Sequence, residues 1–363
     1  MTVRSRRNFK VLLPAVIAVS VGALIAATHS GPAPLVGDGL QPGQSINALE
    51  SIELGGISQW VSIRGYDVRN PVLLYLHPGP GTADLALLRN QCPELERHFV
   101  VVNWDQRGAG KTFRVADPTE ALTITQLIAD THELILYLKQ RFGVDKIYLL
   151  GFSAGTILGL SIADQYPDDL YAYIGVSQVV QGAEGERLGL EYVQRVARET
   201  QNQEASRELA GIDPAYRVDD WYGRLKTQRK WLTKFGGVYR TADSDSREIW
   251  LLLKAPEYSL VEKVLWPLGS DRSLKRLWPE VLQVDFIKTV PQINVPIYFF
   301  VGRYDYNTPS SLVEAYFTAL QAPRGKELIW FEDSAHHLFF DQPEKLTQEI
   351  IRVKDVQANQ KTR

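Results

Sequence analysis

A single cysteine, Cys92, stands in 363 residues. With one thiol the chain can form no intrachain disulfide and no cysteine metal cage. Histidine is scarce as well: His29, His77, His98, His132, His336 and His337 are the six. None falls into an H-E-x-x-H or similar ligand spacing, so neither a metal nor another cofactor is expected. Charge of one sign is also lacking, since 40 Lys and Arg face 42 Asp and Glu for a formal net charge of −2. No basic block occurs beyond the first ten residues, and nucleic acid is not an expected partner. No internal repeat interrupts the chain. What is there, 45% hydrophobic and 23% charged residues, suits a globular protein with a sizeable core.

The N-terminus stands apart. Arg4, Arg6, Arg7 and Lys10 precede VLLPAVIAVSVGALIAA (11–27), a run of 17 residues without charge. A basic stretch before an apolar run is the pattern of an export signal or an uncleaved anchor. Its length is at the short end for a helix that spans a bilayer. SRRNFK (5–10) resembles the twin-arginine export motif but lacks the leucine usual after the phenylalanine. AATHSGPAP (26–34) is a loose candidate for a cleavage site, and cleavage and anchoring both stay open. Residues 1–30 are thus expected to be a signal sequence or membrane anchor, with the folded part outside the cytoplasm, periplasmic or extracellular. One unpaired cysteine is compatible with that place. GPAPLVGDGLQPGQ, within 31–45, reads as a linker, and a folded domain begins near Ile46.

Four apolar runs, VLLYLH (72–77), FVVVNW (99–104), KIYLL (146–150) and PIYFFVG (296–302), follow the pattern of strands buried on both faces, and ELIWF (327–331) is a fifth. Such strands imply a mostly parallel sheet covered by helices on both sides. Helical patterns over 123–142, 156–166 and 310–320 alternate with them, which predicts an α/β fold. The alternation breaks over 181–288. That stretch reads as helical and holds Trp221, Trp231, Trp250, Trp266 and Trp278, five of the eight tryptophans. It is expected to be a cap inserted between core segments 46–180 and 289–355, with most of its aromatics packing helices together and one or two lining a concave site.

KIYLLGFSAGT (146–156) carries the sharpest local signal. Gly151-Phe152-Ser153-Ala154-Gly155 fits G-x-S-x-G between a strand and a helix. The spacing suits a serine on a strained turn, where larger neighbours would clash. The five letters recur by chance, and a tight turn without chemistry would look the same. A serine hydroxyl needs a base, and the base needs an orienting acid. PIYFFVGRYDYNTP (296–309) places Asp305 just past one strand, and ELIWFEDSAHHLFFDQPEKL (327–346) places His336 and His337 past the next. The order Ser, Asp, His, each in a loop after its own strand, is that of α/β hydrolases.

HPGPG (77–81), WDQRGAGKT (104–112), GFSAG (151–155), GRYDYNTP (302–309) and SAHH with QPE (334–344) together resemble the proline iminopeptidase branch of the α/β hydrolases. The resemblance covers roughly 46–180 and 290–355. It implies an α/β-hydrolase fold and a serine hydrolase, an aminopeptidase that acts through an acyl-enzyme without metal or cofactor. In that likeness Ser153 is the nucleophile, Asp305 the orienting acid and His336 the base. His336 is preferred because the family's histidine lies seven residues before the proline of its P-E pair, here Pro343. His337 then flanks the site as a packing residue. The backbone N–H groups of Gly79 and Ala154 would form the oxyanion hole, since Pro78 and Pro80 have none to offer. Exchanging Gly79 for proline is expected to remove that donor and lower kcat with the fold retained. Asp105 and Arg107 are expected to fix loops.

Two departures bear on the substrate. Ala154 stands where typical iminopeptidases carry tryptophan. The W-x-x-W-E pattern, whose glutamate helps hold the substrate's amino group, is not evident in DWYGRLKTQRKW (220–231). Glu184, Glu186, Glu191, Asp219 and Asp220 are candidates for that acidic role, though solvated charges on the cap are the plainer expectation. A short peptide is the leading substrate class, and a small apolar ester or amide the alternative. A dehalogenase-like reading is disfavoured because Ser153 occupies the nucleophile position, and a non-enzymatic binding protein fits the full triad poorly.

Overall fold

The computed structural model describes residues 30–35, 43–114, 121–213, 221–241 and 244–361. The apolar run 11–27, residues 36–42 of the 31–45 linker, Asp219 and Asp220 lie outside them. Among the described residues no helix is long and apolar enough to cross a membrane.

One eight-stranded sheet organises the chain, with β1 (Ile46–Leu54), β2 (Ile57–Gly65), β3 (Val72–Leu76), β4 (Val100–Asp105), β5 (Ile147–Phe152), β6 (Leu170–Val176), β7 (Ile297–Gly302) and β8 (Lys326–Phe331). Its spatial order is β1-β2-β4-β3-β5-β6-β7-β8. β1 and β2 pair antiparallel, as do β2 and β4, and every other pair is parallel. The five apolar runs are β3, β4, β5, β7 and β8. The first four are buried along their whole length, as strands covered on both faces must be. The sheet is the mostly parallel one expected, with an α/β hydrolase's helices around it.

Two strand features go beyond the sequence reading. β1 and β2 form a hairpin around Gly55 and Gly56 at the sheet's edge. β2 buries Gln59, Ser62 and Arg64, so no apolar run announces it. Arg64 answers with an ion pair to Glu96 at 2.6 Å. β6, LYAYIGV, is buried apart from Tyr171, an apolar run of the same kind as the five. Tyr173 is buried, and its hydroxyl donates to Gln178 Oε1 at 2.7 Å.

The principal helices are α1 (Ile124–Phe142), α2 (Gly155–Gln165), α3 (Gly182–Glu199), α4 (Gln203–Leu209), α5 (Trp221–Lys234), α6 (Ser244–Lys254), α7 (Leu260–Val281), α8 (Ser310–Ala319) and α9 (Pro343–Lys361). α3 to α7 all fall between β6 and β7. The two ends of this helical insert meet where Gly182 N donates to Val284 O and Phe286 N to Val180 O, both at 2.9 Å. The insert is then tied to the core at several points. Tyr258 donates to Asp105 Oδ1 at 2.9 Å, Trp266 Nε1 to Ala83 O at 2.9 Å, and Ser273 to Gly108 O at 2.9 Å. Buried Glu257 pairs with Arg89 at 2.6 Å.

Asp105 and Arg107 hold loops. Asp105 also accepts from Lys111 N at 2.7 Å, and its burial pushes the carboxyl pKa up to about 7. Arg107 bridges Asp130 at 2.8 Å and the hairpin carbonyl Gly55 O at 2.8 Å.

Candidate active site

β5 ends at Phe152 and α2 begins at Gly155, so the chain must reverse within two residues. Ser153 does this in the left-handed region, at φ 52°, where a residue with a side chain is strained. Its N–H donates to Val176 O at 3.0 Å, at the end of β6. Gly155 allows α2 to start this close to the sheet: a Cβ there would lie 2.2 Å from Leu76 O. The G-x-S-x-G spacing is therefore a packing requirement of the turn as well as a motif.

Asp305 follows β7 and His336 follows β8, neighbouring strands whose ends bring both beside Ser153. His336 Nδ1 lies 2.9 Å from Asp305 Oδ2, and His336 Nε2 lies 2.9 Å from Ser153 Oγ. An ionised carboxylate can only accept, so the proton between them belongs on Nδ1. Nε2 is then bare and faces the serine hydroxyl. Asp305 is fixed by its own loop: Oδ1 accepts the N–H groups of Asn307 at 2.9 Å and Thr308 at 2.8 Å, and Oδ2 accepts the Thr308 hydroxyl at 2.8 Å. This is an Asx turn extended by a threonine, legible in D-Y-N-T-P as a turn signature though not singled out above. Asn307 was missed for the same reason. Its Nδ2 lies 3.1 Å from His336 Nε2. The backbone of His336 is held too, its N–H donating to Val238 O at 2.9 Å and its carbonyl accepting from Ser177 Oγ at 2.7 Å.

His337 turns away from the serine. It stacks on Tyr239 with ring centroids 4.3 Å apart and meets Phe152 edge-on at 5.1 Å. Burial, and then the adjacent His336, hold its pKa well below the ordinary histidine value, which keeps it neutral.

The HPGPG loop supplies the opposite side. Gly79 and Ala154 line the same cavity as Ser153, and neither backbone N–H donates to an acceptor among the described residues. Gly79 has φ 132°, and a Cβ on it would meet Gly81 N at 2.4 Å and Thr82 N at 2.6 Å. That φ lies far from proline's, so exchanging Gly79 for proline would displace the loop as well as delete a donor. The expected loss of kcat would then come from a moved loop as well as from the missing donor. His77 steadies the loop. Its Nε2 accepts from Gln106 N at 3.3 Å, which leaves Nδ1–H to donate to Pro78 O at 2.7 Å. Burial lowers the His77 pKa to about 4, so the ring stays neutral in this role.

The cavity above Ser153 holds about 380 Å³. Its floor is built from core loops, its roof from α3, α5 and α7. Trp278 is the cap tryptophan that lines it, and its Nε1 is buried without a partner among the described residues. Of the acidic candidates, Glu184 and Glu191 pair with Arg187 at the surface. Glu186 differs: it is 5% exposed, lines the cavity, and is bound by Arg229 Nη1 at 2.9 Å and Gln228 Nε2 at 3.2 Å. A solvated charge was expected there. Glu186 is a buried one instead. Lys226 and Lys230 also line this wall, Lys230 bridging to Glu208 at 2.7 Å. Among the described residues no three His, Cys, Asp or Glu side chains gather as a metal set.

A serine-bearing turn after the fifth strand of a mostly parallel sheet, with an aspartate and a histidine after the seventh and eighth, is the arrangement of α/β hydrolases. The model of the alpha/beta hydrolase fold family matches residues 71–343, and this chain belongs to that family. Within it the chain falls in the proline iminopeptidase-like branch of hydrolases. It is 31% identical over 309 residues, 85% of this chain and 96% of the relative, to a probable aminopeptidase, YbaC, of Bacillus subtilis. A proline iminopeptidase of Heyndrickxia coagulans is 26% identical over 76% of this chain and 87% of its own length. The crystal structure of a proline iminopeptidase-related protein from Thermus thermophilus superposes with a TM-score of 0.60 at 20% identity, covering 85% of this chain and 97% of that one.

Proposed function

We propose that this hydrolase works through Ser153, His336 and Asp305 by an acyl-enzyme. The observation that carries the reading is the unbroken chain from Ser153 Oγ through His336 to Asp305 at the floor of the cavity. Ser153 Oγ attacks the substrate carbonyl carbon as its proton passes to His336 Nε2. The N–H groups of Gly79 and Ala154 receive the oxyanion. The Nε2 proton then goes to the leaving group as its bond to the carbonyl breaks. Water, deprotonated by the same nitrogen, releases the acid and restores the serine.

The leading reading is an aminopeptidase of the proline iminopeptidase type acting on short peptides. It is supported by the likeness to the relatives named above and by Glu186, a buried carboxylate in the cavity wall that could receive a substrate ammonium. A second reading, an esterase or amidase for a small apolar acyl group, is favoured by the Arg229 guanidinium already bound to Glu186 and by the room left beside Ala154. Ser153→Ala is expected to abolish release of proline from short N-terminal-proline substrates while melting like the parent. No turnover of those substrates by well-folded parent protein, with turnover of aryl esters, would select the second reading.

For place, the reading carried forward is export with the apolar run 11–27 retained as a tether. The four cations before that run and its freedom from charge support export; retention rather than cleavage is the alternative that the test below decides.

A further inference from the structure

Nine large apolar side chains are exposed among the described residues, and seven of them fall between 249 and 268. On α6 they include Ile249, Trp250 and Leu253, and on α7 Leu260, Val264 and Leu268, with Val264 78% exposed. The α7 residues recur every fourth position and so form one face. Ile249 of α6 and Trp266 of α7 line a common groove, so the two helices border one another, with Trp266 on the side of α7 opposite Leu260, Val264 and Leu268. Exposed apolar side chains concentrated in this way on two consecutive helices mark a candidate interaction surface.

What the rest of the chain does beside this face identifies the occupant. Gly31 N donates to Pro256 O at 2.9 Å, and Ser30 Oγ accepts from Lys111 Nζ at 2.6 Å, the same ammonium that holds Glu262 at 2.8 Å. The N-terminal segment therefore joins the body at the turn between α6 and α7. Only Thr28 and His29 separate Ser30 from the end of the apolar run at Ala27, a reach of at most about 11 Å in extended chain. If that run is in a bilayer, the turn between α6 and α7 cannot be far from the lipid. Its charges agree. Arg247 and Lys254 are exposed on α6, whereas Glu257 pairs with Arg89 and Glu262 with Lys111, and Glu248, 3.2 Å from the neutral His337, is left partly exposed. Cations remain outward, beside a tryptophan with Lys254 Nζ 5.5 Å from its ring, a combination suited to the headgroup region of an anionic membrane.

We propose that the exposed face of α6 and α7 rests on a lipid bilayer, held there by the short tether. The proposal rests on the tether reading above and is independent of the substrate. Its test uses the full chain in vesicles of phosphatidylcholine and phosphatidylglycerol. Cys92 is only 1% exposed, so Val264→Cys offers one reactive thiol for an environment-sensitive fluorophore. Leu136→Cys, on the solvent side of α1, serves as reference. The Val264→Cys label is expected to shift to the blue on vesicles, and shallow spin-labelled lipids should quench it at least twofold more than the reference. Equal behaviour of the two labels on floated protein would overturn the proposal. So would a Val264→Cys disulfide between two chains with no lipid quenching, which would assign the face to a second copy. Failure of the chain to float would overturn the tether and the docking together, while proline release or ester turnover in the same sample would leave the hydrolase reading standing.

Discussion

The floor and the roof of the cavity are built on different terms. On the floor, Asp305 takes hydrogen bonds from two backbone N–H groups and a threonine besides its bond to His336, and His336 is held by its side chain and its backbone alike. Geometry of that kind leaves little for a substrate to adjust, as preorganised catalysis requires. The roof is charged and its groups answer to one another. Glu186 meets Arg229, and Arg229 lies 5.5 Å from the Trp278 ring. A ligand entering there must compete with contacts that already exist. On the function proposed above, the floor would define the reaction and the roof select the substrate.

The sharpest way to break the contrast is to loosen the floor without touching the roof. Asp305→Asn keeps the shape of the turn but lets the amide favour the other imidazole tautomer, with the proton on Nε2. A fall in kcat of about 10⁴-fold is expected, with KM and melting temperature near the parent's. A variant that kept kcat within tenfold would show that Asp305 does not orient His336. Gly79→Ala comes next. Its Cβ would meet Gly81 N at 2.4 Å, so the loop must shift and carry the Gly79 N–H away from its place. Loss of one such donor lowers kcat by about 10²–10³-fold. Unchanged kcat would place the oxyanion elsewhere.

Legibility divides along the same line. The floor was readable because each of its residues follows a strand with a recognisable apolar run, and the elbow's small residues answer a local steric demand at Gly155. The N-terminal hairpin was not, because β2 buries polar side chains whose partners lie far away in sequence, as Arg64 does with Glu96. β6 escaped although LYAYIGV is as apolar as β3, whose Tyr75 is likewise buried with a hydrogen bond. Thr308 could have been found from the turn chemistry of its own pentapeptide. Glu186 was the harder case, set among charges that look solvated. Its one local sign is the glycines at 182, 185 and 189, which share its side of α3. Gly182 is so close to its neighbour that a Cβ would lie 1.9 Å from Val281 O. Small residues at helical spacing around a carboxylate mark a face turned inward.

Glu186 also offers the test that sharpens the comparison with the smallest effect. If the roof receives a substrate ammonium, Glu186 must exchange part of its bond to Arg229 for one to the ligand. Glu186→Gln keeps the volume and the hydrogen-bonding oxygen but removes the charge. A hydrogen bond to a charged group contributes about 1.5–3 kcal/mol, part of which the amide retains. The expected outcome is a rise in KM of about tenfold for an N-terminal-proline anilide, with kcat near the parent's. An uncharged phenyl ester makes no such contact, so its KM should stay put. The split between the two substrates carries the argument. If both KM values rise together, Glu186 serves only to hold Arg229 and α5 in place, and the roof selects by shape rather than by charge.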